Sequence, residues 1–133
     1  MNPSEDCPCG SGDNFARCCG DFLGGRADAP TAAALMRSRY CAYVLKDESY
    51  LLHTWHPSTR PTVLNLDPAN VPQWISLKLI ATQGGKEHDT EGSVEFVARY
   101  KVNGKAQRLH EASRFVKDQG KWFYLDGDVD NEG

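Results

Sequence analysis

The chain has 133 residues, of which 40% are hydrophobic and 25% are charged, close to the average of soluble globular proteins. This length suits one compact domain with a small appendage, and no apolar run approaches the roughly 20 residues that a membrane helix needs. The net charge of −3, from 15 basic and 18 acidic residues, gives no sign of the basic face of nucleic-acid-binding proteins. We therefore expect no membrane and no nucleic-acid partner.

The N-terminus is acidic and carries no hydrophobic stretch, so we expect no signal peptide and a cytoplasmic location. The chain holds five cysteines, and a reducing compartment favours metal binding over disulfides for cysteines that are crowded together. Four of them lie between Cys7 and Cys19. The fifth, Cys41, stands apart and is expected to be an inert packing residue.

Residues 1–24 are rich in glycine and cysteine, so this segment needs a metal ion to supply the stability that hydrophobic burial cannot. Its pattern predicts one structural zinc ion with four thiolate ligands and no open position. The predicted ligands are Cys7, Cys9, Cys18 and Cys19. Two alternatives remain, namely a redox-active or disordered tail and an iron–sulfur cluster. Residues 25–30 are predicted to form a linker.

The stretch CPCGSGDNFARCCG resembles the SEC-C motif, the short zinc-binding motif of the bacterial preprotein-translocase motor. The last ligand there is often histidine, where this chain has Cys19. The motor's motif contacts a secretion chaperone and the ribosome, so the resemblance implies docking on a protein partner. Many SEC-C loops carry lysines, whereas Arg17 is the one base of residues 1–24 here. This composition argues against RNA or an acidic chaperone surface as the partner.

Two helices are predicted after the linker. Thr31 is a suitable N-cap for a helix that runs to about residue 47, and a shorter helix follows over residues 48–55. His56 ends this second helix because a residue that precedes proline avoids the helical region. Four prolines then predict a long loop over residues 57–72.

Four strands follow from Trp74 onward. Ile75, Leu77 and Leu79 alternate with polar residues in the first strand. The second strand spans 94–102, the third 106–117 and the fourth 122–126, joined by Asn-Gly and Gln-Gly turns at 103–104 and 119–120. Residues 129–133 are predicted to form an acidic tail. Helices followed by an antiparallel meander predict an α+β fold, with a curved sheet packed on the helices and a concavity between them.

Several side chains are predicted to line that concavity. Arg37 and Arg39 flank an apolar helical stripe on opposite sides; either both reach water, or one reaches an acid in the cavity and holds an anionic ligand. Glu111 lies on the apolar face of the third strand, so an arginine of the first helix is its expected partner. Such a pair can serve structure, ligand binding or acid–base chemistry. The predicted pocket residues are Arg37, Arg39, Tyr40, Trp55, His56, Glu111, Arg114 and Trp122.

The segments RSRYCAYVLKD, TWHP, FVARY and SRFVKDQGKWFYLDG, behind a SEC-C motif, resemble the YchJ family of bacterial proteins over about residues 5–128. The resemblance implies that residues 31–128 form a cone-like domain similar to nuclear transport factor two and the SnoaL-like cyclases. That fold hosts isomerases, dehydratases, cyclases and binding domains, so it does not decide the function.

Two functional hypotheses follow. The first is an adaptor whose zinc motif docks on a protein partner and whose cone holds a small ligand, as a monomer or a homodimer. The second is a small enzyme with isomerase-, dehydratase- or hydrolase-like chemistry in the cone. Glu111 or His56 would be its general acid or base, and Arg37 or Arg39 would hold an anionic substrate beside Tyr40. No aspartate is placed beside a cavity histidine, which favours the adaptor.

Overall fold

The computed structural model describes residues 5–64 and 73–130. Three helices come first, α1 (Cys19–Leu23), α2 (Ala32–Leu45) and α3 (Glu48–His53). Four strands follow, β1 (Gln73–Gly84), β2 (Glu91–Val102), β3 (Lys105–Asp118) and β4 (Lys121–Asp130). The strands form one antiparallel sheet in the order β1-β2-β3-β4, which confirms the α+β fold with a meander. Within these ranges no helix has the length and apolar character that crossing a membrane requires.

The two predicted helices form, and their ends follow from side-chain caps. The Thr31 hydroxyl accepts the Ala34 N–H at 3.1 Å, so α2 begins where the sequence predicts. The Asp47 carboxylate caps α3 in the same way. α3 ends at His53, two residues early, because Trp55 forms a β-bridge with Tyr124 of β4 instead of continuing the helix. The predicted loop is described over residues 57–64, where no helix or strand forms, and its remainder, 65–72, lies outside the described residues.

β1 departs from the predicted alternation. The pairing register of β1 with β2 shifts between Trp74 and Ser76 and again between Leu79 and Ala81. Each bulge adds one residue, so the side chains around it change face. Ile75 is therefore 49% exposed while Leu77 is buried, and the prediction that both share one face is wrong.

The hairpin turns form as predicted, but β4 is longer than expected. Asn103-Gly104 and Gln119-Gly120 all have positive φ angles, between 52° and 80°, as two-residue hairpin turns require. β4 was predicted to end near residue 126, yet it continues to Asp130. Asp126 and Asp128 lie within this strand and pair with Arg114 of the neighbouring strand. Residues 131–133 lie outside the described residues.

α2 is buried on two sides, by the sheet and by the N-terminal segment. Its core residues include Leu35, Tyr40 and Cys41, all no more than 3% exposed. Ser38, which the helical periodicity turns away from the apolar stripe, is also fully buried because α3 packs there. Its hydroxyl donates to the Leu35 carbonyl and lies 2.7 Å from the Tyr50 hydroxyl. Both polar contacts compensate for the burial of this hydroxyl.

The start of α2 is fixed by a close approach of two glycines at the β1–β2 connection. Gly85 has a φ of 73°, and its carbonyl accepts the Ala32 N–H at 2.9 Å. The Gly92 backbone packs directly on that of Gly85, so a methyl group at Gly92 would overlap backbone atoms that cannot rotate away.

We expect Gly92→Ala to lower the free energy of unfolding by about 2 kcal/mol, as overpacking against rigid atoms does. Urea unfolding followed by circular dichroism measures it. Gly104→Asn is the control, because asparagine tolerates positive φ and nothing lies within 4 Å of a Cβ at that position. Equal stabilities of the two variants would show that the contact between the glycines does not constrain the fold.

Candidate metal centre and cone cavity

The four N-terminal cysteines converge on one point. Every sulfur of Cys7, Cys9, Cys18 and Cys19 lies within 4.8 Å of the others. Cys9 and Cys18 sulfurs are 3.6 Å apart, and those of Cys18 and Cys19 are 3.9 Å apart. All but Cys18 are buried. The structure thus brings together the residues that the sequence predicts as ligands, in an arrangement that can hold one metal ion.

The local sequence explains this convergence. We call residues 5–24 the knuckle. Its first half is a tight hairpin, in which the Cys7 N–H donates to the Asp13 carbonyl at 2.9 Å. Gly10 makes the turn possible with a φ of 80°. The Asn14 side chain then caps a single 3-10 turn, Phe15–Arg17, which places the second cysteine pair opposite the first.

The knuckle packs on one face of α2. Arg37 donates from Nη1 to the Cys9 carbonyl at 2.9 Å, and the Cys41 sulfur, one helical turn later, lies 3.4 Å from that of Cys7. Arg37 was predicted in the pocket, but the structure places it here. Cys41 is fully buried, as a packing residue would be, yet it contacts the metal centre. Sequence spacing gave no signal for this contact, which joins residues 34 positions apart.

The crowded sulfurs oppose one another electrostatically. Hydrogen bonds from the Cys19 and Cys41 side chains lower the pKa of Cys7 to about 6. Conversely, the sulfurs of Cys41, Cys7 and Cys9 raise the pKa of Cys19. The pKa of Cys9 is lowered as well, so two thiolates are stabilised while the pKa values of Cys18 and Cys19 are raised. A cation bound by four deprotonated sulfurs removes this conflict, which couples metal binding to the fold of the knuckle.

We expect Cys41→Ala to retain one metal ion per chain, because Cys41 is outside the set of sulfurs that all lie within 4.8 Å of one another. Cys9→Ala, which removes a member of that set, is expected to lose the metal. Elemental analysis of both purified variants measures the difference. Loss of metal from Cys41→Ala together with retention by Cys9→Ala would exclude the ligand set proposed here.

A cavity of about 240 Å³ lies between α2 and the sheet. It is lined mainly by aromatic and aliphatic side chains, with one guanidinium and one carboxylate among them. Four residues predicted from the sequence are present: Arg39, Tyr40, Trp55 and Glu111. The other lining residues are Met36, Tyr43, Trp74, Phe96, Ala98, Leu109, Ser113 and Tyr124.

Arg39 is 4% exposed and held by neutral groups. Its Nη1 donates to the Leu51 carbonyl at 2.8 Å and to the Thr54 hydroxyl at 2.7 Å. Its guanidinium carbon lies 5.2 Å from the Trp55 ring centroid and 4.7 Å from that of Tyr124, so both aromatic faces interact with the cation. Burial lowers the pKa of Arg39, but a guanidinium remains charged in proteins.

Glu111 is in the cavity without the predicted arginine partner. Its carboxylate accepts the Ser113 hydroxyl, and among the described residues no lysine or arginine nitrogen lies within 4.0 Å of it. Gly127 of β4 makes room for this side chain, since a Cβ there would lie 2.7 Å from the carboxylate oxygen. The expected ion pair with α2 is therefore wrong, because Arg39 is directed to the end of α3 instead.

The remaining predicted pocket residues lie elsewhere. His56 contacts Ser58 and Asp118, with its Nε2 3.1 Å from the Asp118 carboxylate. Arg114 is exposed and pairs with Asp126 and Asp128 of β4. Trp122 lines a separate groove of about 670 Å³ beside α3 and donates to the Pro30 carbonyl at 3.1 Å.

Sequence reasoning missed the part of the cavity formed by Trp74, Phe96 and Ala98. On β2 the alternation places Phe96 and Ala98 on the inner face, so the strand pattern carried a signal for them. No comparable signal exists for Trp74, because the adjacent bulge in β1 changes which face its neighbours occupy.

We expect Arg39→Lys to lower the free energy of unfolding by about 2 kcal/mol, because an ammonium cannot keep both hydrogen bonds and both ring contacts. Arg114→Lys is the matched control. That exposed arginine pairs with two acids, and a surface ion pair contributes only about 0.5 kcal/mol. Urea unfolding of the two variants measures both losses of unfolding free energy. If Arg39→Lys lowers the free energy of unfolding by less than Arg114→Lys does, the role assigned to Arg39 is contradicted.

Comparison with known proteins agrees with this geometry. A family model described as the YchJ middle NTF2-like domain matches residues 31–127, and one for the SEC-C motif matches residues 4–21. The chain belongs to the UPF0225, or YchJ, family. The family resemblance and the cone-like fold expected from the sequence are thereby confirmed.

Relatives match over 84–98% of their own length. A UPF0225 protein of Chromobacterium violaceum is 58% identical, over 91% of this chain and 90% of its own. A UPF0225 protein of Streptomyces coelicolor is 50% identical, over 95% of this chain and 97% of its own. The solution structure of a SEC-C motif containing protein from Rhodopseudomonas palustris superimposes with a TM-score of 0.80 and 34% identity, over 96% of this chain and 98% of that one. The crystal structure of a SEC-C motif containing protein from Psychrobacter arcticus superimposes with a TM-score of 0.76 and 28% sequence identity. The match covers 95% of this chain and 84% of that one.

Proposed function

We propose that this UPF0225 protein is a zinc-binding adaptor, in which the knuckle docks on a protein partner and the cone cavity holds a small ligand. The observation that carries the proposal is the spacing of the four sulfurs. A tetrahedral zinc ion with bonds of about 2.3 Å needs ligand sulfurs roughly 3.8 Å apart. The separations of 3.6 and 3.9 Å in the knuckle fit that requirement.

The zinc ion has a structural role in this proposal. Four protein thiolates complete a tetrahedron and leave no position for a substrate or a water molecule. The knuckle also lacks a hydrophobic core of its own, since its sulfurs provide most of its buried side chains. Its shape, and therefore its outer surface, depends on the metal ion.

The charge of that outer surface indicates the chemistry of the partner. Glu5, Asp6 and Asp13 are exposed, with Arg17 as the exposed base of the same segment. Four thiolates around a divalent cation add a charge of about −2 to these acids. An acidic docking surface is complementary to a basic patch on a protein, which favours a partner of that kind over RNA.

Capture from a bacterial lysate by the full chain tests the docking half of the proposal. Wild type is compared with Cys18→Ser, which removes a zinc ligand, and with Asp13→Lys, which reverses a charge on the knuckle surface. We expect both variants to lose the same captured protein, while Asp13→Lys keeps its metal by elemental analysis. Raising the salt concentration should also release that protein from wild type, because exposed charges are screened.

Glu87→Lys is the matched control, because it makes the same change of charge in the turn between β1 and β2. It should keep both the metal and the captured protein. A partner that stays bound to Cys18→Ser and Asp13→Lys alike would show that the knuckle is not the docking surface.

A small enzyme acting in the cone is the second candidate, and one observation favours it. Arg39, Tyr40 and Glu111 line the same cavity, so a carboxylate general acid or base and a fixed cation are close to one another. His56, the other acid–base residue considered, does not line that cavity. Burial also raises the pKa of Tyr40 to about 12, which makes this hydroxyl a hydrogen-bond donor rather than a base at neutral pH.

A further inference from the structure

The cone cavity holds two opposite charges that do not pair with each other. Arg39 and Glu111 both line it, yet no carboxylate of the described residues lies within 4.0 Å of an Arg39 nitrogen. Burial lowers the pKa of Arg39, and the charge of Glu111 opposes that shift. The two groups are therefore near each other, and each faces the same enclosed space without a counter-ion in contact.

The guanidinium of Arg39 keeps one edge free of the protein. Its hydrogen bonds to the Leu51 carbonyl and the Thr54 hydroxyl both leave from Nη1. Nε and Nη2, which make no hydrogen bond to a described residue, form the fork that binds a carboxylate through two parallel hydrogen bonds.

This free edge of Arg39 opens into the cone cavity. In the described part of the chain, Trp74 Nε1 is the one fully enclosed side-chain nitrogen or oxygen that lacks a hydrogen bond. Nε and Nη2 of Arg39 therefore retain accessible surface. Arg39 as a whole is 4% exposed, and it lines the cone cavity but not the groove beside α3.

The aromatic rings beside Arg39 do not enclose it. Its guanidinium carbon lies 5.2 Å from the Trp55 ring centroid and 4.7 Å from that of Tyr124, and these two centroids are 5.0 Å apart. The three points form a nearly equilateral triangle, so both rings lie to the same side of the guanidinium. The Tyr43 hydroxyl interacts with Arg39 as well, but burial raises its pKa, so this group supplies no negative charge at neutral pH.

Glu111 presents the opposite charge from β3. Its Oε2 accepts the Ser113 hydroxyl, and Oε1 makes no hydrogen bond to a described residue. Oε1 is not fully enclosed either. This oxygen can therefore accept a hydrogen bond from an ammonium group, which carries three donors.

The rest of the cavity wall selects the size and the body of the ligand. Among the described residues that line it, Arg39 and Glu111 are the charged ones, and Met36, Phe96 and Leu109 are apolar. The volume of about 240 Å³ is below the roughly 300 Å³ at which pockets for drug-sized ligands begin. A small ion of single charge would leave one of the two protein charges unpaired, whereas a zwitterion pairs with both and adds no net charge.

We infer that the cone cavity binds a small zwitterion with an apolar group, which is the chemistry of a free amino acid with an apolar side chain. Its carboxylate pairs with Nε and Nη2 of Arg39, its ammonium pairs with Glu111, and its apolar group packs on the remaining wall. This inference rests on the cavity half of the proposed function and names the chemical class of the ligand.

The test uses L-leucine as the probe, with three analogues that keep the apolar group and change the charges. 4-Methylpentanoate lacks the ammonium, 3-methylbutylamine lacks the carboxylate, and 4-methylpentanamide carries no charge. Isothermal titration calorimetry of the purified full chain measures the four affinities. We expect L-leucine to bind at least about tenfold more tightly than each analogue, because each analogue loses a charge-assisted hydrogen bond and leaves a buried charge unpaired.

The Nε–H signal of Arg39 reports where L-leucine binds. The full chain is labelled with 15N and 13C, and this signal is assigned through bonds from the Arg39 backbone. We expect L-leucine to shift it in a saturable way and to leave the Nε–H signal of the exposed Arg114 in place.

Glu111→Gln removes the negative charge and keeps the shape of the side chain. It is expected to weaken binding of L-leucine by at least about tenfold, while 4-methylpentanoate binds as well as before or better, because a repulsive charge is gone. The matched control is Glu91→Gln, the same change at an exposed position of β2, which should leave both affinities unchanged. If Glu111→Gln does not fold, the order of the four affinities in the wild-type protein still decides the inference.

The outcomes separate this inference from the proposed function. If an analogue binds as tightly as L-leucine, if L-leucine binds without moving the Arg39 signal, or if a folded Glu111→Gln binds L-leucine unchanged, the ligand class is wrong and a small-ligand cavity remains. If none of the four compounds at millimolar concentration shifts a signal of any cavity residue, both the inference and the cavity half of the proposed function are wrong. The knuckle's docking role is unaffected by either result.

Discussion

Helix α2 is the element that joins the two parts of this protein, because it is packed on both sides. On one face Arg37 holds the Cys9 carbonyl and Cys41 contacts the Cys7 sulfur. On the other face Met36, Tyr40 and Arg39 form a wall of the cone cavity. A helix buried in this way cannot shift without disturbing both surfaces. The four-cysteine cluster and the cavity, which are far apart in sequence, therefore share one structural support.

The cavity carries polar groups that stability alone would not favour. A buried guanidinium, a carboxylate beside it and an unpartnered indole N–H all carry a desolvation cost. Hydrogen bonds from Arg39 to the end of α3 offset part of that cost. The Trp74 N–H has no such compensation among the described residues.

Sequence patterns predicted the local features well, because each depends on neighbouring residues. The cap at Thr31, the two hairpin turns and the inner face of β3 with Leu109 and Glu111 all follow from local chemistry. The sequence patterns gave wrong predictions where a contact with a distant part of the chain overrides the local pattern. Ile75 is exposed by a bulge in β1, and α3 ends early because the chain after it bridges to β4. Of the predicted pocket residues, His56 was displaced by this bridge.

The sequence by itself determined the four cysteines of the N-terminal cluster, the order of helices and strands, and the membership of the chain in its family. Short spacings and residue types carry that information directly. The tertiary structure alone decided which residues of α2 face the knuckle and which face the cavity. It also placed the Cys41 sulfur against that of Cys7 and left the Trp74 N–H without a hydrogen-bond partner among the described residues. These features depend on packing between residues that are tens of positions apart, which no local pattern encodes.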